Sequence, residues 1–111
     1  MDGLSFYEKN GTLTAVLSGE LDHCLAAAVR VRIDDRIGEC IPSEFVLDIS
    51  RITFMDSSGL GLIMGRYALC RKLGVAFRLK GADERAMKIL DMAGLCSVIM
   101  TERPAKGGKA K

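Results

Sequence analysis

The sequence predicts a single α/β domain built on a mixed β-sheet, and three observations favour this fold class. The chain has 111 residues, the usual length of one domain. Near the N-terminus, an Asn-Gly dipeptide separates two short runs that partly alternate apolar and polar residues, a pattern typical of a β-hairpin. Further on, short apolar runs alternate with segments of helical periodicity, which predicts parallel strands joined by helices. We therefore expect the order β-β-α-β-α-β-α-β.

The predicted hairpin consists of strands Leu4–Lys9 and Thr12–Ser18. Asn10 and Gly11 form the turn between them, because both residue types accept the positive φ angles that a two-residue hairpin turn requires. This hairpin supplies the antiparallel edge of the mixed sheet. The next four residues, Gly19–Asp22, are predicted to form a turn.

The first helix is predicted from about His23 to Gly38. Asp22 precedes it and is a good N-cap residue, since its carboxylate accepts hydrogen bonds from the free N–H groups of the first turn. Gly38 is the predicted end of the helix. Apolar residues recur every four positions and define the buried face: Leu25, Val29, Ile33 and Ile37.

The second half of the chain continues the alternation. Phe45–Ile49 is an almost continuous apolar run, which predicts a strand covered on both faces. The residues Arg51–Met55 are predicted to be a connector. A helix then extends from the Asp-Ser-Ser-Gly segment at 56–59 to about Leu73, with Gly74 as its cap.

The remaining predicted elements complete the domain. They are a core strand at Val75–Lys80, a helix from the capping residue Asp83 to about Ala93, and a strand at Ser97–Met100. Residues 1–101 therefore form the predicted domain. Residues 102–111 contain four basic residues and one acidic residue without apolar periodicity, so we expect a flexible basic tail.

Composition and charge exclude several classes of protein. A content of 49% hydrophobic and 27% charged residues is that of a globular protein and excludes disorder over most of the length. The longest stretch without Asp, Glu, Lys or Arg is ten residues, whereas a membrane-spanning helix needs roughly 20 apolar residues. The N-terminus has no signal-peptide pattern, so we expect a soluble, cytoplasmic protein. The net charge is +2 and the tail contributes +3, so the domain lacks the basic surface of a nucleic-acid-binding protein.

The cysteine pattern gives no sign of a metal or cofactor. The four cysteines lie 16, 30 and 26 residues apart, and the single histidine, His23, is next to Cys24. A structural zinc site needs closely spaced ligand pairs. We therefore expect no metal, no cofactor and reduced thiols, with Cys70 and Cys96 buried in apolar elements.

The segment Phe54–Gly61 carries the clearest functional signal. It follows a core strand and begins a helix, and sites in α/β domains usually lie at the carboxyl ends of the strands. The first turn of a helix has unpaired N–H groups and a partial positive charge, so a phosphoryl group on a serine there is stabilised. The alternative interpretation is that Asp56 or Ser57 serves only as an N-cap.

Three glycines in this helix need an explanation, because each lowers helix stability by about 0.8–1 kcal/mol relative to alanine. They are Gly59, Gly61 and Gly65. We expect Gly65 to allow tight packing of the helix on the sheet. Gly59, next to the serines, serves either such packing or the close approach of a partner.

A small serine hydrolase is the enzymatic alternative, and the sequence argues against it. A nucleophilic serine needs a base, and His23 has no evident orienting partner except Asp22. The sequence contains neither the Gly-x-Ser-x-Gly elbow nor the Gly-x-x-x-x-Gly-Lys phosphate-binding loop.

Three segments resemble the anti-sigma factor antagonists of the STAS domain family: Gly19–His23, Phe54–Tyr67 and Asp91–Leu95. The resemblance extends in order and spacing over residues 1 to about 101. Its most specific part is the Asp-Ser-Ser-Gly-Leu-Gly stretch with the Gly-Arg-Tyr that follows. The Gly-Arg-Tyr and Asp-Met-Ala-Gly-Leu segments favour the sporulation branch, which releases sigma F, over the stress-response branch.

The resemblance implies a binding protein and not an enzyme. Its unphosphorylated form is expected to bind an anti-sigma factor that is also a serine kinase, with ATP held by the kinase, and so to release the sigma factor. The kinase is expected to phosphorylate Ser57, the first serine of the motif, which ends the binding until a serine phosphatase restores it. A regulatory STAS module with a different kinase partner is the alternative.

The resemblance also implies which residues contact the partner. By their positions in the family motifs these are Glu20, Asp22, Asp56, Ser57, Ser58, Gly59 and Gly61. We expect a monomer that contacts neither nucleic acid nor a membrane directly.

Overall fold

A five-stranded mixed sheet with the strand order β1-β2-β3-β4-β5 forms the centre of the molecule. The structure is a computed structural model and describes residues 3–95 and 99–102. Its elements are β1 (Leu4–Lys9), β2 (Thr12–Leu21), α1 (His23–Cys40), β3 (Glu44–Met55), α2 (Ser57–Leu73), β4 (Ala76–Lys80), α3 (Glu84–Met92) and β5 (Met100–Glu102). The predicted fold class and element order are confirmed.

The N-terminal hairpin forms as predicted. Strands β1 and β2 pair antiparallel, with Leu4 opposite Leu17 and Lys9 opposite Thr12. The turn residue Asn10 has a φ of 53°, and Gly11 has a φ of 84°. All other neighbouring strands are parallel, as crossover helices require.

The main core lies between the helices and alternate residues of the central strands. In β3, Phe45, Leu47 and Ile49 belong to the main core cluster. The side chains between them, Val46 and Asp48, are also buried, so the whole run is covered as predicted. From α1, the core receives three of the four residues of the predicted apolar row as fully buried side chains: Val29, Ile33 and Ile37.

Two segments predicted as irregular are in fact strand. The predicted turn at Gly19–Asp22 is mostly the end of β2, and the predicted connector Arg51–Met55 is the end of β3, where Leu21 pairs with Met55. Irregularities in the register before Ser18 and after Gly19 interrupt the alternation of these strands. The period-2 pattern that predicts a strand is therefore lost, although the backbone pairing continues.

The helix ends follow local chemistry, with one correction. Helix α1 continues past Gly38 and is capped by Ile41, whose φ is 39° and whose N–H donates to the Ile37 carbonyl at 2.9 Å. Pro42 follows, and the residue before a proline is disfavoured in helical conformation, so the helix ends there. Helix α2 ends at Gly74 as predicted, with a φ of 75°.

The C-terminal region is described in part. Strand β5 covers Met100–Glu102 and pairs with β4, so it begins at the last residue of the strand predicted at Ser97–Met100. Glu102, the first residue of the tail predicted at 102–111, is instead the last residue of β5. Residues 103–111 and Cys96 lie outside the described residues. Over residues 3–95 and 99–102, no helix has the length and apolar content to span a membrane.

The cysteines differ in exposure, which leads to a testable prediction. Cys24 and Cys40 are exposed, whereas Cys70 is fully buried. Burial raises the pKa of the Cys70 thiol to about 11. Burial and the neighbouring Glu8 also raise the pKa of Cys40. Since the thiolate is the reactive form, iodoacetamide at about pH 8 should label Cys24 fastest and Cys40 more slowly.

Cys70 should react only after unfolding. Peptide mass mapping over a time course, in buffer and in denaturant, measures all three rates. Labelling of Cys70 in the native protein as fast as Cys24 would contradict the burial described here.

Candidate functional site

Helices α1 and α2 begin side by side at the carboxyl ends of the neighbouring strands β2 and β3. Their preceding strands are parallel, and the last residues of these strands, Leu21 and Met55, are paired. The backbone N–H of Asp56 donates to the Leu21 carbonyl at 3.4 Å. The segment around Asp22 and the segment around Asp56, which the sequence leaves 34 positions apart, therefore lie next to each other.

Two aspartates cap the adjacent helices. The Asp56 carboxylate accepts a hydrogen bond from the Ser58 N–H at 2.8 Å. The Asp22 carboxylate accepts one from the Leu25 N–H at 3.0 Å. Each N-cap of this kind stabilises its helix by about 1 kcal/mol. Of the two N-cap candidates in the second segment, Asp56 is therefore the cap.

The Ser57 side chain neither caps α2 nor bonds to another described residue. Ser57 is the first residue of α2 and is exposed, and no described residue forms a hydrogen bond with its hydroxyl. Ser58 is half-buried. The free N–H groups of the helix start create a partial positive charge beside Ser57, which favours an anionic group at this position.

Gly59 is required by packing inside the protein. It is buried, and a Cβ atom at this position would overlap with Cγ of Met55 and lie 2.9 Å from its sulfur. The same Cβ would lie 3.0 Å from a methyl group of Leu21. Gly59 thus allows the first turn of α2 to rest directly on the ends of β2 and β3, and its buried position does not support the predicted contact with a partner.

The other two glycines face open space. A Cβ atom at Gly61 or Gly65 would meet no heavy atom within 4 Å. The prediction that Gly65 allows tight packing on the sheet is therefore wrong. The reason is its position on the helix surface, since Gly65 faces a groove between α1 and α2 rather than the sheet.

This groove has a volume of about 410 Å³ and is floored largely by small residues. Ala26 and Ala27 of α1 lie opposite Gly61 and Gly65 of α2. Ser58 stands at the end where both helices begin. The predicted serine segment is thus continuous with an open groove.

An ion pair joins the two helices beside the groove. Arg66 is 6% exposed, and its Nε lies 2.8 Å from Oδ1 of Asp34. Burial raises the pKa of Asp34, and the Arg66 guanidinium offsets part of this rise. Burial lowers the pKa of Arg66, against the attraction of Asp34. The Nη1 of Arg66 is buried without a hydrogen-bond partner among the described residues.

Sequence reasoning missed the apolar residues around the site. Phe54 is 44% exposed and pairs with Glu20 at the end of the sheet. Met64 is 46% exposed on the outer face of α2. Neither exposure could be read from the sequence, because Phe54 lies beyond a register shift and α2 is apolar on several sides.

Among the described residues of the site, neither a base bonded to a serine nor a cluster of metal ligands is found. The His23 ring contacts Cys24, with 3.7 Å between Nε2 and the sulfur, and it forms no described hydrogen bond with a serine. Across residues 3–95 and 99–102, no three His, Cys, Asp or Glu side chains are grouped so that they could hold a metal ion. The arrangement is that of an exposed serine beside two capped helix starts and an open groove.

Comparisons with known proteins agree with this fold. The STAS domain family matches residues 4–106. The anti-sigma F factor antagonist of Paenibacillus polymyxa is 38% identical over 89 residues, which are 80% of this chain and 76% of that protein. The anti-sigma-B factor antagonist of Bacillus subtilis (strain 168) is 25% identical over 92 residues, 83% of each chain. The structure of the anti-sigma factor antagonist SpoIIAA in its unphosphorylated form superposes with a TM-score of 0.76 at 26% identity, covering 88% of this chain and 86% of that chain.

The different surroundings of Gly59 and Gly65 predict opposite effects of alanine substitution on the free energy of unfolding. Gly59→Ala should lower the free energy of unfolding by about 1–3 kcal/mol, because Met55 must move. Gly65→Ala should raise it by up to about 1 kcal/mol, because alanine favours the helix and the new methyl group meets open space. Urea denaturation of the two variants and the wild type measures both changes. Equal effects of the two substitutions would contradict the packing described here.

Proposed function

Since this chain belongs to the STAS domain family and is an anti-sigma factor antagonist, we propose that it acts as a phosphorylation-controlled switch. Its unphosphorylated form binds an anti-sigma factor that is also a serine kinase, and this binding releases the sigma factor. The kinase, which holds the ATP, phosphorylates Ser57, and the phosphorylated form dissociates. A serine phosphatase returns the protein to its binding form. The chain acts by binding and catalyses no reaction of its own.

The observation that carries this proposal is the position of Ser57. Its hydroxyl is exposed at the start of α2 and takes no part in capping, because Asp56 fills that role. A kinase therefore has access to the oxygen without unfolding the helix. The partial positive charge of the helix start stabilises the phosphate once it is attached.

The effect on binding follows from local electrostatics. A phosphoserine adds about −1.5 to −2 charges at pH 7. Glu20, Asp22 and Asp56 already make this end of the molecule acidic. The added dianion repels an acidic surface and must lose its water against an apolar one. A loss of about 2.8 kcal/mol in binding free energy corresponds to a hundredfold weaker affinity.

The proposed partner surface surrounds this hydroxyl. It consists of six of the predicted residues: Glu20, Asp22, Asp56, Ser57, Ser58 and Gly61. We leave Gly59 out, because it is buried under Met55. We add Phe54 and Met64, whose exposed side chains provide apolar area next to Glu20 and Gly61.

The sigma factor is proposed to be sigma F of sporulation. Support comes from the higher identity to an anti-sigma F factor antagonist, 38%, than to an anti-sigma-B factor antagonist, 25%. A stress-response role with a different kinase is the alternative. We further propose that the protein acts as a monomer in the cytoplasm, without direct contact to nucleic acid or a membrane.

Substitutions at Ser57 test the switch. Ser57→Ala should bind the unmodified kinase with wild-type affinity and remain bound in the presence of ATP, because no phosphate can be attached. Ser57→Asp should bind about a hundredfold more weakly, because it places a permanent charge at the same position. Isothermal titration calorimetry with the anti-sigma factor kinase of the same organism measures each dissociation constant.

Ser43→Asp is the matched control for this test. Ser43 is exposed just before β3, at the opposite end of that strand from Met55, so the same added charge there should leave binding and ATP-dependent release as in the wild type. Equal affinities of Ser57→Ala and Ser57→Asp for the kinase would overturn the proposed switch.

A further inference from the structure

The groove between α1 and α2 continues from the proposed phosphorylation site along the helix. Ser58 marks one end and Arg66 lines the groove further along. The eight helical steps from Ser58 to Arg66 correspond to about 12 Å of helix. The groove is therefore long enough for a short segment of another chain.

Within the part of the chain that the structure describes, the glycines of the groove have no role in packing. Gly61 and Gly65 could each carry a methyl group without meeting any atom within 4 Å. Each glycine nevertheless lowers helix stability by about 0.8–1 kcal/mol relative to alanine. Their absence of side chains keeps the groove deep and brings the backbone of α2 within reach of another backbone.

The lining of the groove is basic. Among the described residues that line it are His23, Arg30 and Arg66, and none is Asp or Glu. Burial, and to a lesser degree the charge of Arg30, lower the pKa of Arg66, so the two arginines lie close enough to repel each other. Asp34 contacts Arg66 through Nε, and the buried Nη1 remains without a partner. Arg66 thus has a donor that no described residue uses, and the exposed Arg30 lies beside it.

We propose that an acidic segment of the kinase partner occupies this groove, with its backbone against Gly61 and Gly65 and a carboxylate directed at Arg30 and Arg66. The proposal rests on the proposed function and extends it from the serine to the groove. A free anion would explain the arginines and leave the glycines unexplained. A peptide segment explains both, and the groove is continuous with the surface around Ser57.

An acidic segment in the groove would also explain how a phosphate on Ser57 ends the binding. A segment that enters the groove passes Ser58, the neighbour of Ser57. A phosphate on Ser57 then faces an acidic chain at short range and repels it. Release on phosphorylation would follow from the same negative charge that the arginines attract.

Charge reversal and groove filling test the proposal in the full-length protein. Arg30→Glu and Gly65→Leu should each weaken binding of the unphosphorylated protein to the kinase about tenfold or more, by calorimetry. Gly65→Ala should bind more weakly than the wild type while its thermal midpoint rises, a combination that a purely structural role would not produce. Arg32→Glu is the matched control, since Arg32 is exposed on α1 and does not line the groove, and its affinity should stay within about twofold.

The outcomes separate this inference from the proposed function. If Arg30→Glu and Gly65→Leu bind the kinase with wild-type affinity while Ser57→Asp binds weakly, the proposal that the partner occupies the groove is overturned and the proposed serine switch stands. Failure of the wild type to bind the kinase would overturn both. A titration with inorganic phosphate tests whether the groove is only a site for free anions. If phosphate shifts the amide resonances of the groove in the wild type but not in Arg30→Glu, and these variants bind the kinase normally, the groove binds free anions and the proposal is overturned.

Discussion

The contact between Gly59 and the ends of two strands is the constraint on which the site depends. Because position 59 has no side chain, the first turn of α2 rests directly on Met55 and Leu21. This close packing leaves Asp56 at the point where the strand becomes helix, where it caps α2. Ser57 then follows on the outer side of the turn. The exposure of one hydroxyl is thus a consequence of the way in which a helix is seated on the sheet.

The fold separates the stability of the domain from the chemistry of its surface. The core is formed by side chains of the strands and of the inner faces of the helices, away from the serines. The proposed phosphate on Ser57 would meet the positive end of a helix and would disrupt no described hydrogen bond. Its effect would then be on a partner that binds beside the helix start. A change of charge can therefore alter binding while the fold remains the same, which is what a reversible switch requires.

The sequence predicted those parts of the fold that depend on local chemistry. Asn10 and Gly11 identify the hairpin because few residues accept their backbone conformation, and Asp22 is predicted as the cap of α1. For α2 the sequence leaves Asp56 and Ser57 as alternative caps, and the structure selects Asp56. The ends of β2 and β3 were not predicted, since their register shifts remove the alternation on which strand prediction depends. Gly59 and Gly65 could not be told apart, because a glycine gives no sign of which side of an apolar helix it occupies. The pairing of Arg66 with Asp34 joins two helices and has no local signal in the sequence.

The central claim is that one exposed hydroxyl receives the phosphate and controls docking. The most direct measurement is mass mapping of the modified residue after incubation of the protein with the anti-sigma factor kinase and ATP. The account predicts a single phosphate, located on Ser57, and a phosphorylated product that no longer forms a complex with the kinase. A phosphate on Ser58 with Ser57 unmodified, or a Ser57-phosphorylated product that stays bound, would contradict it.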